Sequence, residues 1–171
     1  GQIFAYKYDS KRNKIDMSSF DEKDELLYRN TYEYDSEGNM IKENFFDKNN
    51  DFSGYSIFKY DKKGNKIEKF DYSNKDSLEL RISYKYDKQG NEIEEKTYKG
   101  NGDLKDINSY KYKYDNKSNW IEKKSLSKSD EVYETIKRKI VYYGDKDENN
   151  YPSWDDINYK AEEIQIEGVE Y

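Results

Sequence analysis

The most regular stretch of the chain alternates apolar and polar side chains. Between residues 78 and 86 every second position is aliphatic or aromatic, and the positions between them are charged or carry a hydroxyl group. The apolar positions are Leu78, Leu80, Ile82, Tyr84 and Tyr86. A period of two residues is typical of a half-buried β-strand, whereas an amphipathic helix needs spacings of three and four. Residues 26 to 34 repeat the alternation, so the pattern predicts strands rather than helices.

The pair Tyr-Asp recurs five times at nearly constant spacing. The tyrosines are 26, 26, 26 and 28 residues apart, at Tyr8, Tyr34, Tyr60, Tyr86 and Tyr114. Each copy has Asn five residues after the Tyr and Ile two residues later; these isoleucines are Ile15, Ile41, Ile67, Ile93 and Ile121. Self-similarity at a fixed period indicates a repeat architecture. We predict five copies of a β-hairpin repeat over residues 1–143, and a separate closing segment over residues 144–171.

Two turns divide each repeat. The spacing Asp-x-x-Gly, as in Asp35 to Gly38, favours a type I turn whose fourth residue is left-handed. A second turn lies twelve residues later, as in Asp47 to Asn50, and ends on a residue type that tolerates positive φ. Each repeat therefore consists of one strand of about ten residues and one of about eight.

The predicted fold class is all-β. Sequential antiparallel strands normally pair as neighbours, which gives a meander of about eleven strands, an elongated, twisted or curled single sheet. The short strands leave one point open. Ile67 and Tyr72 are five residues apart, so their side chains point to opposite faces unless a β-bulge intervenes.

Composition excludes much chemistry. The chain has 171 residues with no Cys and no His. It therefore has no disulfide, no thiolate nucleophile and no imidazole group to act as a base or as a metal ligand. Acidic residues (37) outnumber basic ones (31) and the two are interleaved, which argues against nucleic acid as a partner. The longest apolar runs are far too short for a transmembrane segment. We expect no cofactor and no enzymatic activity.

The sequence Tyr84-Lys85-Tyr86-Asp87-Lys88-Gln89-Gly90-Asn91 resembles the YD repeat of Rhs and teneurin proteins, which reads YxYDxxG. The likeness extends from residue 6 to about residue 143 and is greatest to small exported bacterial YD-repeat proteins of unknown function. It implies a sheet of successive hairpins and an exported protein, either periplasmic, at the cell surface or secreted. A chain that begins at Gly1 rather than Met fits a mature form without its export signal.

The closing segment contains the most specific local motif. Positions 1, 3, 5 and 12 of an EF-hand-like calcium loop are matched by Asp145, Asp147, Asn149 and Asp156. Asn150 stands where such a loop has Gly, and Asp156 where it has Glu, so a solvated acidic loop is favoured over this weak calcium candidate. We expect the segment to cover the last edge of the sheet.

The tyrosines are the candidate binding residues. Alternation places an aromatic row on one sheet face, formed by Tyr32, Tyr34, Tyr60, Tyr84, Tyr86, Tyr112 and Tyr114, with Phe58 standing where other copies have Tyr. Such a row either packs the repeats against each other, which is favoured, or forms a platform for sugar rings or peptides. The favoured function is a non-catalytic structural or interaction module with an unknown protein or glycan partner. The alternative is a glycan-binding module.

Overall fold

The computed structural model describes residues 1–140 and Tyr142, and within them it contains eleven β-strands. The strands are β1 (Ile3–Tyr8), β2 (Lys14–Phe20), β3 (Leu26–Tyr34), β4 (Met40–Phe46), β5 (Phe52–Tyr60), β6 (Lys66–Ser73), β7 (Leu78–Tyr86), β8 (Glu92–Lys99), β9 (Leu104–Tyr114), β10 (Trp120–Leu126) and β11 (Val132–Lys137). They follow one another in the sheet in sequence order. The predicted all-β meander in a single sheet is confirmed.

The contacts between residues divide the chain into two compact units. The first runs Gly1–Ile107, and the second begins at Asn108. In the first unit the even-numbered strands have seven or eight residues, and β3, β5 and β7 have nine each. This is the alternation of short and long strands that the repeat predicts. The closing segment and the calcium candidates Asp145, Asp147, Asn149 and Asp156 lie outside the described residues.

Both rows of predicted turns form with the same hydrogen bonds. In the turn of Asp61, Gly64 N donates to Asp61 O at 3.1 Å, and Asp61 N donates to Asn65 O at 2.9 Å. The fourth residue has a positive φ in every described turn, whether or not it is glycine: Gly64 has φ 82° and Asp76 has φ 58°. Glycine at the fourth position of Asp-x-x-Gly therefore indicates a turn residue with positive φ, a conformation that Asp, Asn, Arg and Ser also adopt at this position in the chain.

A β-bulge follows each turn of the first row and answers the question left open for the short strands. Tyr60 pairs with Lys66 but Lys59 pairs with Glu68, so Ile67 is the extra residue. The other repeated isoleucines, Ile15, Ile41, Ile93 and Ile121, are skipped in the register in the same way. The register then brings Tyr72 opposite Tyr55, on the face away from Phe58 and Tyr60. The isoleucine of each repeat is thus the residue at which the short strand changes register.

The register defines two faces in the first unit. We call the aromatic face the one that carries Tyr6, Tyr32, Tyr34, Phe58, Tyr60, Tyr84 and Tyr86, and the charged face the one that carries Asp16, Arg29, Glu33, Lys42, Lys59, Glu68, Arg81, Lys85 and Glu94. The most buried large side chains of this unit, Tyr32 and Phe58, lie on the aromatic face. The charged face also carries rings near the second row of turns, where Tyr55 and Tyr72 stack with centroids 4.8 Å apart.

One glycine within a strand has a steric reason. Gly54 in β5 pairs with Phe45 and Ser73, and its φ is 153°. A Cβ atom at this position would lie 2.5 Å from the Tyr72 carbonyl oxygen. Only a residue without a side chain allows β5 and β6 to approach so closely.

Candidate functional site

The aromatic face of the first unit holds six of the eight residues of the predicted row. Tyr32 is 8% exposed and Phe58 6% exposed, so neighbouring side chains and strands already cover the middle of the row. Lysines fill the spaces between rings of successive repeats. Lys66 Nζ lies 5.6 Å from the centroid of Phe58 and 4.9 Å from that of Tyr84. The cation thus bridges two long strands through contacts with both rings.

Lys14 occupies the equivalent place two repeats earlier, towards β1. Its Nζ lies 4.6 Å from the centroid of Tyr32 and 5.8 Å from that of Tyr6. Lys14 and Lys66 both follow the repeated Asn directly in sequence. Met40 holds this position between them, so the cation is present in some repeats and absent from others.

The last tyrosine of β3, of β5 and of β7 makes a contact that sequence reasoning missed. The hydroxyl groups of Tyr34, Tyr60 and Tyr86 donate to the backbone carbonyl oxygens of Lys14, Met40 and Lys66, each at 2.8 Å. In all three cases the acceptor lies twenty residues earlier, on the adjacent short strand and next to its bulge. The constant spacing between this Tyr and the residue after Asn was the available signal.

Burial shifts the acidity of the phenols on the aromatic face. Burial, the largest cause in each case, raises the pKa of Tyr34, Tyr60 and Tyr86 above the ordinary value of 10.0. Burial, together with the nearby Glu95 and Glu92, raises the pKa of Tyr84 to about 12. The neutral phenol is therefore the form that the folded aromatic face favours.

Each Asp of the first turn row is hydrogen-bonded within its own turn. Asp61 Oδ1 accepts from Lys63 N at 2.8 Å and from Asn65 N at 2.9 Å, and Asp61 Oδ2 accepts from Asn65 Nδ2 at 2.9 Å. The Asn65 side chain holds the pKa of Asp61 below its ordinary value, and Asn39 has the same effect on Asp35. The repeated Asp-Asn pair therefore fixes the turn and leaves an ionised carboxylate.

Open grooves lie between successive turns of this row. One is lined by Asp35, Asn39 and Ile41 from one repeat and by Phe58, Tyr60 and Asp61 from the next. A second lies one repeat earlier, between Asp9 and Tyr34. Their walls combine carboxylates that are engaged in turns with aliphatic and aromatic surface, so the grooves offer shape and apolar contact rather than a reactive group.

The charged face holds ion pairs across neighbouring strands. Glu68 lies between Lys59 on β5, at 3.1 Å, and Arg81 on β7, at 2.6 Å. Glu94 pairs with Lys85 at 2.9 Å and with Lys96 at 3.0 Å. The hydrogen bond from Lys85, the largest cause, lowers the pKa of Glu94. The pKa of Glu68 is also below its ordinary value: burial opposes this shift, and the hydrogen bonds from Arg81 and Lys59 cause it.

The second unit contains the other two residues of the predicted row. Tyr112 and Tyr114 lie on one face with ring centroids 6.2 Å apart, and Tyr112 meets the Trp120 ring edge-on. Tyr142, which is 28 residues after Tyr114, donates its hydroxyl to the Asp115 carboxylate. Arg138 Nε donates to the Trp120 carbonyl oxygen at 2.5 Å. That carbonyl follows the repeated Asn, as the acceptors in the first unit do, so here an arginine takes the part of the tyrosine.

Residues 1–140 and Tyr142 contain no group of three or more acidic side chains arranged to hold a metal ion. Across the same residues no helix is long and apolar enough to cross a membrane. The calcium candidate remains a prediction, because its residues lie outside this part of the chain.

Comparisons with known proteins give distant structural likeness only. No family model matches the chain, and no curated protein matches it. A crystal structure of TcdB2-TccC3 is similar over 70% of this chain, with 14% identity and a TM-score of 0.31, and the match covers 8% of that chain. A porin-like protein from Bacteroides uniformis is similar over 71% of this chain and 81% of its own, with 11% identity and a TM-score of 0.28.

Proposed function

We propose that this chain is a non-catalytic structural or interaction module of the YD-repeat type. One observation carries the proposal: the repeated functional groups are engaged within the array, where they join one repeat to the next or hold a turn. The hydroxyls of Tyr34, Tyr60 and Tyr86 bind the adjacent strand, and the Asp carboxylates bind their own turns. Residues that recur in order to hold the array together need no ligand to explain their recurrence.

The chemistry of the described carboxylates supports the non-catalytic part of the proposal. A general acid at neutral pH needs a carboxyl group with a raised pKa, as in a buried apolar pocket. The pKa values of Glu94 and Asp61 are shifted the other way, by a cation and by an amide respectively.

Export is also part of the proposal and rests on the resemblance of the repeat to that of exported YD-repeat proteins. Fractionation of cells that carry the natural gene, with detection of the chain in each fraction, tests it.

A glycan array tests the proposed function against glycan binding, which remains a prediction. We expect no saturable binding of the full chain. Tyr86→Phe should lower the melting temperature, because it removes the bond to Lys66 O. Tyr6→Ala is the matched control on the same face; Tyr6 is 47% exposed, so its removal should change the melting temperature little. Saturable glycan binding that Tyr84→Ala abolishes, while circular dichroism stays that of the folded chain, would replace the structural function with the glycan-binding one.

A further inference from the structure

The turn between β8 and β9 differs from the other described turns between neighbouring strands. It begins at Lys99, whereas each of the others begins at Asp or Ser. In one of those turns, the Asp47 carboxylate accepts from the backbone nitrogens of Asn49 at 2.8 Å and of Asp51 at 3.0 Å. A lysine side chain has no acceptor atom, so the first residue does not hold the turn of Lys99 in this way.

Asn101, the third residue of this turn, supplies the missing acceptor. Its Oδ1 accepts from Asp103 N at 3.1 Å, and its Nδ2 donates to Asp103 Oδ2 at 2.8 Å. The first bond closes a ring around Gly102, so the Asn101 side chain lies folded back along the backbone that contains the Gly102 nitrogen. Asn101, Gly102 and Asp103 are exposed among the described residues, and a Cβ atom at Gly102 would meet nothing beyond its chain neighbours within 4 Å. The turn is therefore open to water.

An asparagine followed by glycine can lose its side-chain nitrogen without an enzyme. The backbone nitrogen of the glycine attacks the side-chain Cγ, the Cγ–Nδ2 bond breaks, and Nδ2 leaves as ammonia with the proton that the backbone nitrogen gives up. A five-membered succinimide remains. Water then opens this ring, either to aspartate or to isoaspartate, in which the main chain runs through Cγ. Glycine favours the attack because it has no Cβ atom to crowd the ring.

We propose that Asn101 is a site of spontaneous deamidation, through a succinimide with Gly102, and that the turn promotes the reaction. Asp103 N donates to the oxygen on which negative charge develops, and the Asp103 carboxylate lies within hydrogen-bond distance of the nitrogen that leaves, where it can pass on a proton. Gly102 N is bound to Lys99 O at 2.9 Å, so the turn has to open before the attack. A turn whose first residue carries no acceptor opens more readily.

The product differs from the starting chain in charge and in turn geometry. An aspartate at position 101 places a carboxylate where Nδ2 now donates to Asp103, and an isoaspartate lengthens the main chain of the turn by one carbon atom. Both changes are irreversible and weaken the turn that joins β8 to β9. The inference concerns one turn of the first unit, so it does not depend on the proposed structural function.

Peptide mapping by mass spectrometry tests the proposal on the full chain, kept folded at neutral pH and sampled over time. We expect the peptide that contains Asn101 to gain the mass of an amide-to-acid exchange and to separate by chromatography into aspartate and isoaspartate forms. Asn49 is the internal control: it has the same place in its turn but is followed by Asn50, so it should stay intact. The chain unfolded in guanidinium chloride is the reference. Reaction at Asn101 in the unfolded chain but not in the folded one would overturn the proposal.

Two substitutions test the part played by the turn. Lys99→Asp supplies the acceptor that Asp47 provides in its own turn and should slow the reaction at Asn101 about five-fold, the worth of one hydrogen bond. Asn50→Gly places a glycine after Asn49 in the turn that Asp47 already holds; the φ of Asn50 is 62°, which glycine adopts readily.

In the Asn50→Gly chain we expect Asn49 to react about five-fold more slowly than Asn101, because the same hydrogen bond separates the two turns. Circular dichroism checks that both variants keep the fold. If Asn49 in this chain reacts as fast as Asn101, or if Lys99→Asp leaves the rate at Asn101 unchanged, the Asn-Gly dipeptide alone sets the rate and the proposed part of the turn is wrong.

Discussion

The two faces of the sheet in the first unit are stabilised in different ways. On the aromatic face the residue type recurs at each position, because Tyr34, Tyr60 and Tyr86 each use a hydroxyl group and the buried Tyr32 and Phe58 each use a ring. On the charged face the two charges of a cross-strand pair exchange places between repeats. Lys59 faces Glu68 across the strands, whereas Glu33 faces Lys42 at the same place one repeat earlier. The aromatic face therefore repeats particular chemical groups, whereas the charged face repeats only the pairing of opposite charges.

The largest effect that separates the faces should come from pH. The phenols of Tyr60 and Tyr84 have a raised pKa in the folded chain, so the stability they provide is present below pH 10 and is lost as pH rises through the folded value. Glu94 has a lowered pKa, because Lys85 binds it. Its contribution is present above about pH 4.5, the ordinary value, and is lost as pH falls through the folded value.

Melting temperatures measured by circular dichroism from pH 2 to pH 12 check this prediction. We expect a plateau at neutral pH and a fall on both sides, with tyrosinate absorbance rising together with alkaline unfolding. Lysine also loses its charge at high pH, so the series should be repeated in about 1 M NaCl, where ion pairs are screened. The alkaline fall should persist in salt and the acid fall should shrink. An alkaline fall that salt abolishes would assign it to the charged face.

Truncation of a buried ring should have the next largest effect. Phe58→Ala removes a side chain that is 6% exposed and its contact with Lys66, and should lower the free energy of unfolding by about 3 kcal/mol. Lys59→Ala, the next residue and on the opposite face, should change it by less than about 0.5 kcal/mol, because the Lys59 side chain is 56% exposed and Glu68 keeps its ion pair with Arg81. Urea denaturation measures both. Equal losses would mean that the aromatic face is no better packed than the charged one.

The alternation over Leu78 to Tyr86 and the Asp-x-x-Gly spacing were sufficient to predict the strands, the turns and the meander, because both are local. The bulge at Ile67 was not decided, since strand register depends on the partner strand. The Tyr60 hydroxyl contact with Met40 O was missed for a similar reason: it joins residues twenty positions apart that only the register brings together. The row of tyrosines was predicted correctly as a shared face in the first unit, but not the way in which it is held.

Removal of one hydroxyl from the aromatic face should cost less than removal of a ring. Tyr60→Phe keeps the ring and breaks the bond to the Met40 carbonyl, which should lower the free energy of unfolding by about 1 kcal/mol. Tyr8→Phe is the control, because Tyr8 is exposed at the edge strand, and it should have no measurable effect. Urea titrations at pH 7 compare the two. A Tyr60→Phe chain as stable as the unsubstituted one would show that the repeated hydroxyl does not stabilise the array.

The smallest effect should come from the exchanged pair on the charged face. Glu33→Lys places a lysine directly opposite Lys42 and should lower the free energy of unfolding by about 0.5 kcal/mol. Lys42→Glu alone opposes two acids and also removes the contact of Lys42 with the Tyr55 ring. The double variant restores the sign order of Lys59 and Glu68. It should therefore be more stable than the sum of the single changes implies, by a coupling of about 0.5 kcal/mol that shrinks in salt. A coupling of zero at low salt would mean that Glu33 and Lys42 interact with solvent and do not stabilise each other across the strands.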